Sequence, residues 1–210
     1  MDGYPSFHVL KRYEVSGRDY RIEWRVGRSG LLVMAPHGGG IEPGSSEVAR
    51  SVARGRHSFY HFEGLKERNN ARLHITSTRF DEPAAQALAA ASWKVITIHG
   101  CSDGNADILL GGRDLAWRAI CTRVLEQQGF SVAEHPVFLG LQEENLCNRG
   151  RAGMGLQIEL SYALRRRLFL RLDRQGRQSP TPLFHDLVHA LRRVLTEEAH
   201  HTRHDEHVSR

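Results

Sequence analysis

Three short, mostly apolar runs constrain this chain more than any other feature. They are residues 31–35 (Leu-Leu-Val-Met-Ala), 95–98 (Val-Ile-Thr-Ile) and 156–158 (Leu-Gln-Ile). Runs of this length read as strands. The first is apolar on both faces, which predicts a strand at the middle of a sheet with both sides covered. Each run leads into a residue that can bind a metal: His37 soon after the first, His99 directly after the second, Glu159 directly after the third.

The rest of the pattern alternates. Strands are predicted at 7–15 and 20–26, joined at Ser16-Gly17, and at 30–35, 59–62, 73–76, 93–98, 106–110, 132–133 and 156–160. Helices are predicted from the capping serines Ser45 and Ser46 to Arg54, over 83–91 behind a proline, from Asp114 to Gln128 with Gly129 as the stop, and over 182–198. Strands alternating with helices imply an α/β fold, a single domain over 1–198 with a mixed β-sheet flanked by helices. Ligands in such folds gather at the carboxyl ends of strands, where all three candidate residues lie. Residues 199–210 carry His200, His201, His204 and His207 and are expected to be a disordered tail without a defined role.

Composition supports a globular reading. The 210 residues are 40% hydrophobic, enough for a core, and 25% charged, which excludes a disordered tail. No apolar run approaches the ~20 residues of a bilayer span, so no membrane association is expected. No basic segment followed by an apolar stretch opens the chain, which points to the cytoplasm or to a phage-derived protein released by lysis. The net charge of +5 leaves an anionic polymer or peptide open as partner, although solubility alone accounts for the charge. Nucleic acid is disfavoured, since no basic-aromatic run of the kind that stacks bases is present.

The chemistry starts at His37-Gly-Gly-Gly-Ile-Glu42. Three residues without Cβ let the chain bend until an imidazole and a carboxylate face one point. With His99 they make a His, Glu, His ligand set. Hydrolytic zinc sites use three protein ligands and keep a fourth place for water, whose pKa falls to about 7. Glu159 is the candidate to take that water's proton and pass it to the leaving nitrogen.

These residues also carry a family resemblance. His37–Glu42 with Gly44 and Ser46-Glu47, then Ile98-His99-Gly100, Gly111-Gly112-Arg113-Asp114, Asn148-Arg149-Gly150 and Gln157-Ile158-Glu159-Leu160-Ser161, resemble in order the blocks of the poly-γ-glutamate hydrolase family, known also from bacteriophages. The resemblance implies a zinc peptidase with a fold similar to zinc carboxypeptidases, acting on γ-linked glutamate, with His37, Glu42 and His99 as ligands and Glu159 as base. Asn148 and Arg149 resemble the pair by which zinc carboxypeptidases hold a substrate carboxylate, a task suited to the planar guanidinium fork. Arg113 is a further candidate contact. Pro43 departs from the expected pattern by stiffening the turn.

Three rivals share the sequence. His37–Gly40 also resembles a lipase oxyanion loop, and Gly100-Cys101-Ser102-Asp103-Gly104 fits the serine-esterase elbow, although no helix is expected after the serine. His185 and His189, four apart on the last helix, mimic a zinc motif, but the spacing of Leu187, Val188, Leu191, Val194 and Leu195 marks an ordinary amphipathic helix. A non-catalytic polyanion-binding protein would satisfy the charge alone.

Overall fold

The computed structural model describes residues 2–102, 106–134 and 139–208, with residues 199–208 as backbone alone. In chain order the elements are α1 (Phe7–Leu10), β1 (Tyr20–Arg25), β2 (Leu31–Gly39), α2 (Ser45–Ala53), β3 (Ser58–Gly64), α3 (Pro83–Ala91), β4 (Lys94–Gly100), β5 (Ile108–Gly111), α4 (Leu115–Gln127), β6 (Val132–Glu134), β7 (Leu156–Leu160), α5 (Tyr162–Leu168) and α6 (Pro182–Val208), with short 3-10 turns between some of them.

The seven strands form one mixed sheet in the order β1-β3-β2-β4-β7-β5-β6. Strands β3, β2, β4 and β7 run parallel, while β1 and β5 pair antiparallel at the flanks. The three apolar runs therefore occupy adjacent central strands. Being parallel, β2, β4 and β7 deliver their carboxyl ends to one edge. His99 and Glu159 are register partners across β4 and β7.

Alternation along the strands sorts side chains into two cores. Leu31, Val33 and Ala35 of β2, Ile96 and Ile98 of β4, and Leu156, Ile158 and Leu160 of β7 pack under α2, α4, α5 and α6. Leu32, Met34, Tyr60, Phe62 and Val95 face the other way, against α1, α3 and the segment holding Leu73, Ile75 and Phe80. Full burial of each large apolar side chain contributes on the order of 1.5–3 kcal/mol.

Several local expectations change. The stretch 7–15 is the short helix α1 followed by turns rather than a strand. Ser6 caps it by accepting from the Val9 amide, and the Asp81 carboxylate accepts from the Phe7 amide. The stretch 73–76 is not a strand; a 3-10 turn at Asn70–Leu73 leads into chain that lies over the sheet instead of joining it. Ser45 and Ser46 lie inside α2. Its cap is Gly44, at φ 102°, and Ser45 Oγ donates to the Glu42 carbonyl while Ser46 Oγ pairs with His61. α5 was not expected. Ser161 caps it by accepting from the Leu164 amide. α6 extends past Glu198, where the sequence pattern ended it. Among the described residues no helix is long and apolar enough to cross a membrane.

Candidate active site

Strict alternation on β2 would send His37 to the same face as Leu31, Val33 and Ala35. It does not go there, because the register with β3 shifts between Ala35 and Gly38. One extra residue on β2 exchanges the faces, so His37 joins His99 and Glu159 on the opposite side of the sheet. The Gly38–Gly40 turn then folds back. Gly39 adopts φ 64°, and a Cβ there would lie 2.6 Å from the Gly64 carbonyl oxygen. The Glu42 amide donates to the His37 carbonyl at 2.8 Å, which closes the turn and aims the Glu42 carboxylate at the imidazole.

The His37 Nε2–H donates to the Ile75 carbonyl at 2.7 Å. That bond sets the tautomer and leaves Nδ1 with a free lone pair. This Nδ1 lies 3.0 Å from Glu42 Oε1 and 3.1 Å from His99 Nδ1, and Glu42 Oε2 lies 3.5 Å from His99 Nδ1. Three acceptor atoms thus converge, all within 4.8 Å of one another. A tetrahedral ion with bonds of about 2.0–2.1 Å needs ligand atoms about 3.3 Å apart, so spacing and donor chemistry both fit zinc. The Gly100 amide donates to Glu42 Oε2 at 2.9 Å and fixes the carboxylate from behind.

Glu159 is buried at the end of β7. Its Oε1 accepts from Gln157 Nε2 at 3.2 Å, and Gln157 Oε1 in turn accepts from Asn145 Nδ2 at 3.0 Å. Burial pushes the Glu159 carboxyl up to about 7; His99 opposes this rise, Glu42 adds to it and Arg165 opposes it. A carboxylate held near neutrality is what a proton acceptor working at neutral pH requires.

Two residues that the sequence reading passed over also stand here. The His74 ring lies 4.0 Å from the His37 ring, centroid to centroid. Its Nδ1–H donates to Asp2 Oδ1 at 2.7 Å, and its Nε2 lies 3.8 Å from Glu42 Oε1. Asp2 also accepts from the Thr76 amide and hydroxyl, pinning that segment to the N-terminus. Arg165, buried on α5, lies beside Glu42 at the edge of a cavity. Nothing in the sequence separates it from Arg166 and Arg167; its only signal is the absence of a Cβ at Gly100, against which it packs.

The other candidates are held differently. Asn148 is buried; its Oδ1 accepts from the Arg113 and Gly155 amides, and its Nδ2 donates to the Gly140 and Gln142 carbonyls. Arg149 donates to three backbone carbonyls, of Glu144, Phe80 and Thr78. Arg113 pairs with Glu143 at 2.9 Å. None of these bonds is made to His37, Glu42, His99 or Glu159, the four residues the structure gathers; Arg149 reaches the carbonyl of Phe80, whose ring lies 6.2 Å from the His37 ring. His185 and His189 lie exposed on α6, opposite its buried Leu187, Val188 and Leu191, as an amphipathic helix requires. Of the esterase pattern, Asp103 and Gly104 lie outside the described residues.

A family model described as poly-gamma-glutamate hydrolase matches residues 4–190. The chain is 36% identical over 203 residues to the SPbeta prophage-derived UPF0714 protein YoqZ of Bacillus subtilis (strain 168), covering 95% of this chain and 73% of that protein. A solved bacteriophage poly-gamma-glutamate hydrolase superposes with a TM-score of 0.90 at 32% identity, covering 94% of this chain and 98% of the other. The zinc-free apo form of YNDL superposes with a TM-score of 0.89 at 35% identity, covering 94% and 99%.

Proposed function

The chain belongs to the poly-gamma-glutamate hydrolase family, and from that premise we propose that it is a zinc-dependent amide hydrolase that cuts γ-glutamyl linkages at His37, Glu42, His99 and Glu159. The observation that carries this reading is the convergence of His37 Nδ1, His99 Nδ1 and the Glu42 carboxylate at metal-ligand spacing, beside a buried carboxyl raised toward neutrality.

His37, Glu42 and His99 hold the ion, which when bound supplies Lewis-acid polarisation of the amide carbonyl and an acidified water. The protein does the rest. Glu159 accepts the proton of the attacking water and returns it to the departing nitrogen. Gln157, itself held by Asn145, keeps the Glu159 carboxylate turned to that task. The Ile75 carbonyl holds the His37 ring in the ligating tautomer. The net positive charge draws an anionic polymer toward the surface at long range. Arg149 spends three of its five N–H donors on backbone carbonyls, so its Nη1 and Nη2 each keep one that a substrate carboxylate can accept.

The test pairs elemental analysis of the purified protein with digestion of poly-γ-glutamate before and after chelation. One equivalent of zinc, with digestion lost on stripping and restored by zinc alone, is expected. Undiminished digestion by the stripped protein would overturn the reading.

A further inference from the structure

Arg165 is only 5% exposed. Its Nε donates to the Leu160 carbonyl at 3.1 Å, Nη1 to Pro43 at 3.0 Å and Nη2 to Cys101 at 2.7 Å. These carbonyls belong to the three segments that carry Glu159, Glu42 and His99, each one or two residues beyond it. The guanidinium therefore ties together the same three segments that build the site. Gly100 makes the approach possible, since a Cβ there would lie 2.6 Å from the guanidinium carbon.

Two facts set this arginine apart from a structural tie. Among the described residues no carboxylate makes a direct ion pair with it; Glu42 and Glu159 favour its charge only across a longer distance, and a buried cation without a contacting counter-ion is costly. A guanidinium has five N–H donors, of which the three bonds use three, so Nη1 and Nη2 each keep one. The second fact is the space beside it. A cavity of about 380 Å³ is lined by Arg165 with Glu42, Gly100, Cys101, Ser102 and Tyr162, within the size range of small-ligand sites. Because Glu42 forms part of its wall, whatever fills the cavity adjoins the candidate metal cluster.

We infer that this cavity is a carboxylate subsite in which the two spare N–H groups of Arg165 grip the α-carboxylate of a glutamyl unit next to the scissile amide. Every unit of a γ-linked chain carries such a group, and the guanidinium fork matches it in two parallel bonds. Bound carboxylate supplies a counter-ion in direct contact. The inference rests on the hydrolytic reading above and adds to it a named selector for acidic units.

The experiment uses protein stripped of metal, so that neither turnover nor carboxylate–metal bonding contributes. γ-Glutamyl-glutamate, and the same dipeptide with its carboxylates converted to carboxamides, are titrated while ¹⁵N–¹H shifts are followed. The acid is expected to shift the amides of Gly100, Cys101 and Ser102 and the Arg165 Nε–H. The amide form should bind roughly tenfold to a hundredfold more weakly, the usual worth of charged hydrogen bonds. Arg165→Met should weaken the acid by a similar factor. Because that change also frees three carbonyls, Ser102→Trp at an exposed wall position is the second variant, expected to block binding without moving Tm. Equal affinity for acid and amide, shifts centred on Arg149 instead, or undiminished binding by Ser102→Trp would overturn the inference. Acid-selective binding here by a protein that never digests the polymer would sink the hydrolytic reading and leave the carboxylate subsite. Normal digestion with an unchanged KM in Ser102→Trp would do the reverse.

Discussion

Glu159→Gln separates the proposed chemistry from the fold that carries it. The carboxyl is 9% exposed, and burial lifts its pKa from the usual 4.5 to about 7. A carboxyl raised in the folded state lends stability that is fully present below 4.5 and is lost as pH rises through 7. At pH 8 the wild-type protein therefore carries an ionised group that the fold disfavours, and the rise from 4.5 to about 7 corresponds to about 3 kcal/mol. Glutamine has the same shape and no charge, so metal-free Glu159→Gln should gain stability at pH 8, up to about that amount, and little at pH 4. Urea unfolding of both proteins at the two pH values measures the difference. Loaded with zinc, the variant should keep a full equivalent of metal, because the three ligands are untouched, yet lose roughly 10²–10⁴ in kcat, the worth of a positioned base. In the wild type, activity should fall as pH drops and Glu159 takes up a proton. A variant less stable than wild type at pH 8, or one that digests the polymer at wild-type rate, would refute the reasoning.

Further outcomes follow from the same geometry. His99→Ala should lower zinc content sharply, since only two of three ligands remain; a full equivalent of metal by elemental analysis would show that the ligand set is misassigned. Gly39→Ala forces a side chain into a φ of 64° and against the Gly64 carbonyl, so a loss of about 1–3 kcal/mol and weaker zinc binding are expected, and an unchanged zinc Kd would mean that the turn does not position Glu42. Arg149→Ala should lower Tm, because three carbonyls lose their donor, and should raise KM more for acidic than for neutral amides if the guanidinium also meets substrate; equal effects on both amides would confine it to holding the loop. Ile98→Ala, in the core under the helices, should cost about 2–5 kcal/mol in chemical denaturation while leaving zinc content intact, and a loss below 1 kcal/mol would contradict the packing described.

The central sheet was legible because its strands must be apolar on both faces, a pattern that surface elements do not share. The strands drawn at 30–35 and 93–98 are β2 and β4, each starting one residue later and running on at its carboxyl end, and 156–160 is β7 as drawn. Pro83 and Asp114 placed α3 and α4 through proline geometry and side-chain capping, both local effects. What failed was chain that lies on the sheet without entering it. Phe7-His8-Val9-Leu10 and Leu73-His74-Ile75-Thr76 alternate like strands, but their apolar members only need to reach the core. Long-range partners, Asp81 for the first and Asp2 for the second, decide their backbone.

The site divides the same way. Its metal set was readable because strand ends, glycines and ligand types coincide in sequence, although the reason His37 works there was not. Without the register shift between Ala35 and Gly38, His37 would point under α2, away from His99 and Glu159, and no count along β2 reveals which residue is the extra one. The substrate side was less readable. Asn148 and Arg149 have the residue types of a carboxylate clamp; four hydrogen bonds tie Asn148 to loop backbone, and three tie Arg149 there while two of its five donors stay open. Arg165 looks in sequence like one of three basic residues on a solvated helix end. Its burial emerges only when α5 folds back over Gly100 and sets the guanidinium on the Leu160, Pro43 and Cys101 carbonyls, with no carboxylate in direct ion-pair contact among the described residues. Ligand type is written in a residue's identity, whereas availability depends on which bonds the fold has already filled, and for an arginine that means counting its five donors in three dimensions.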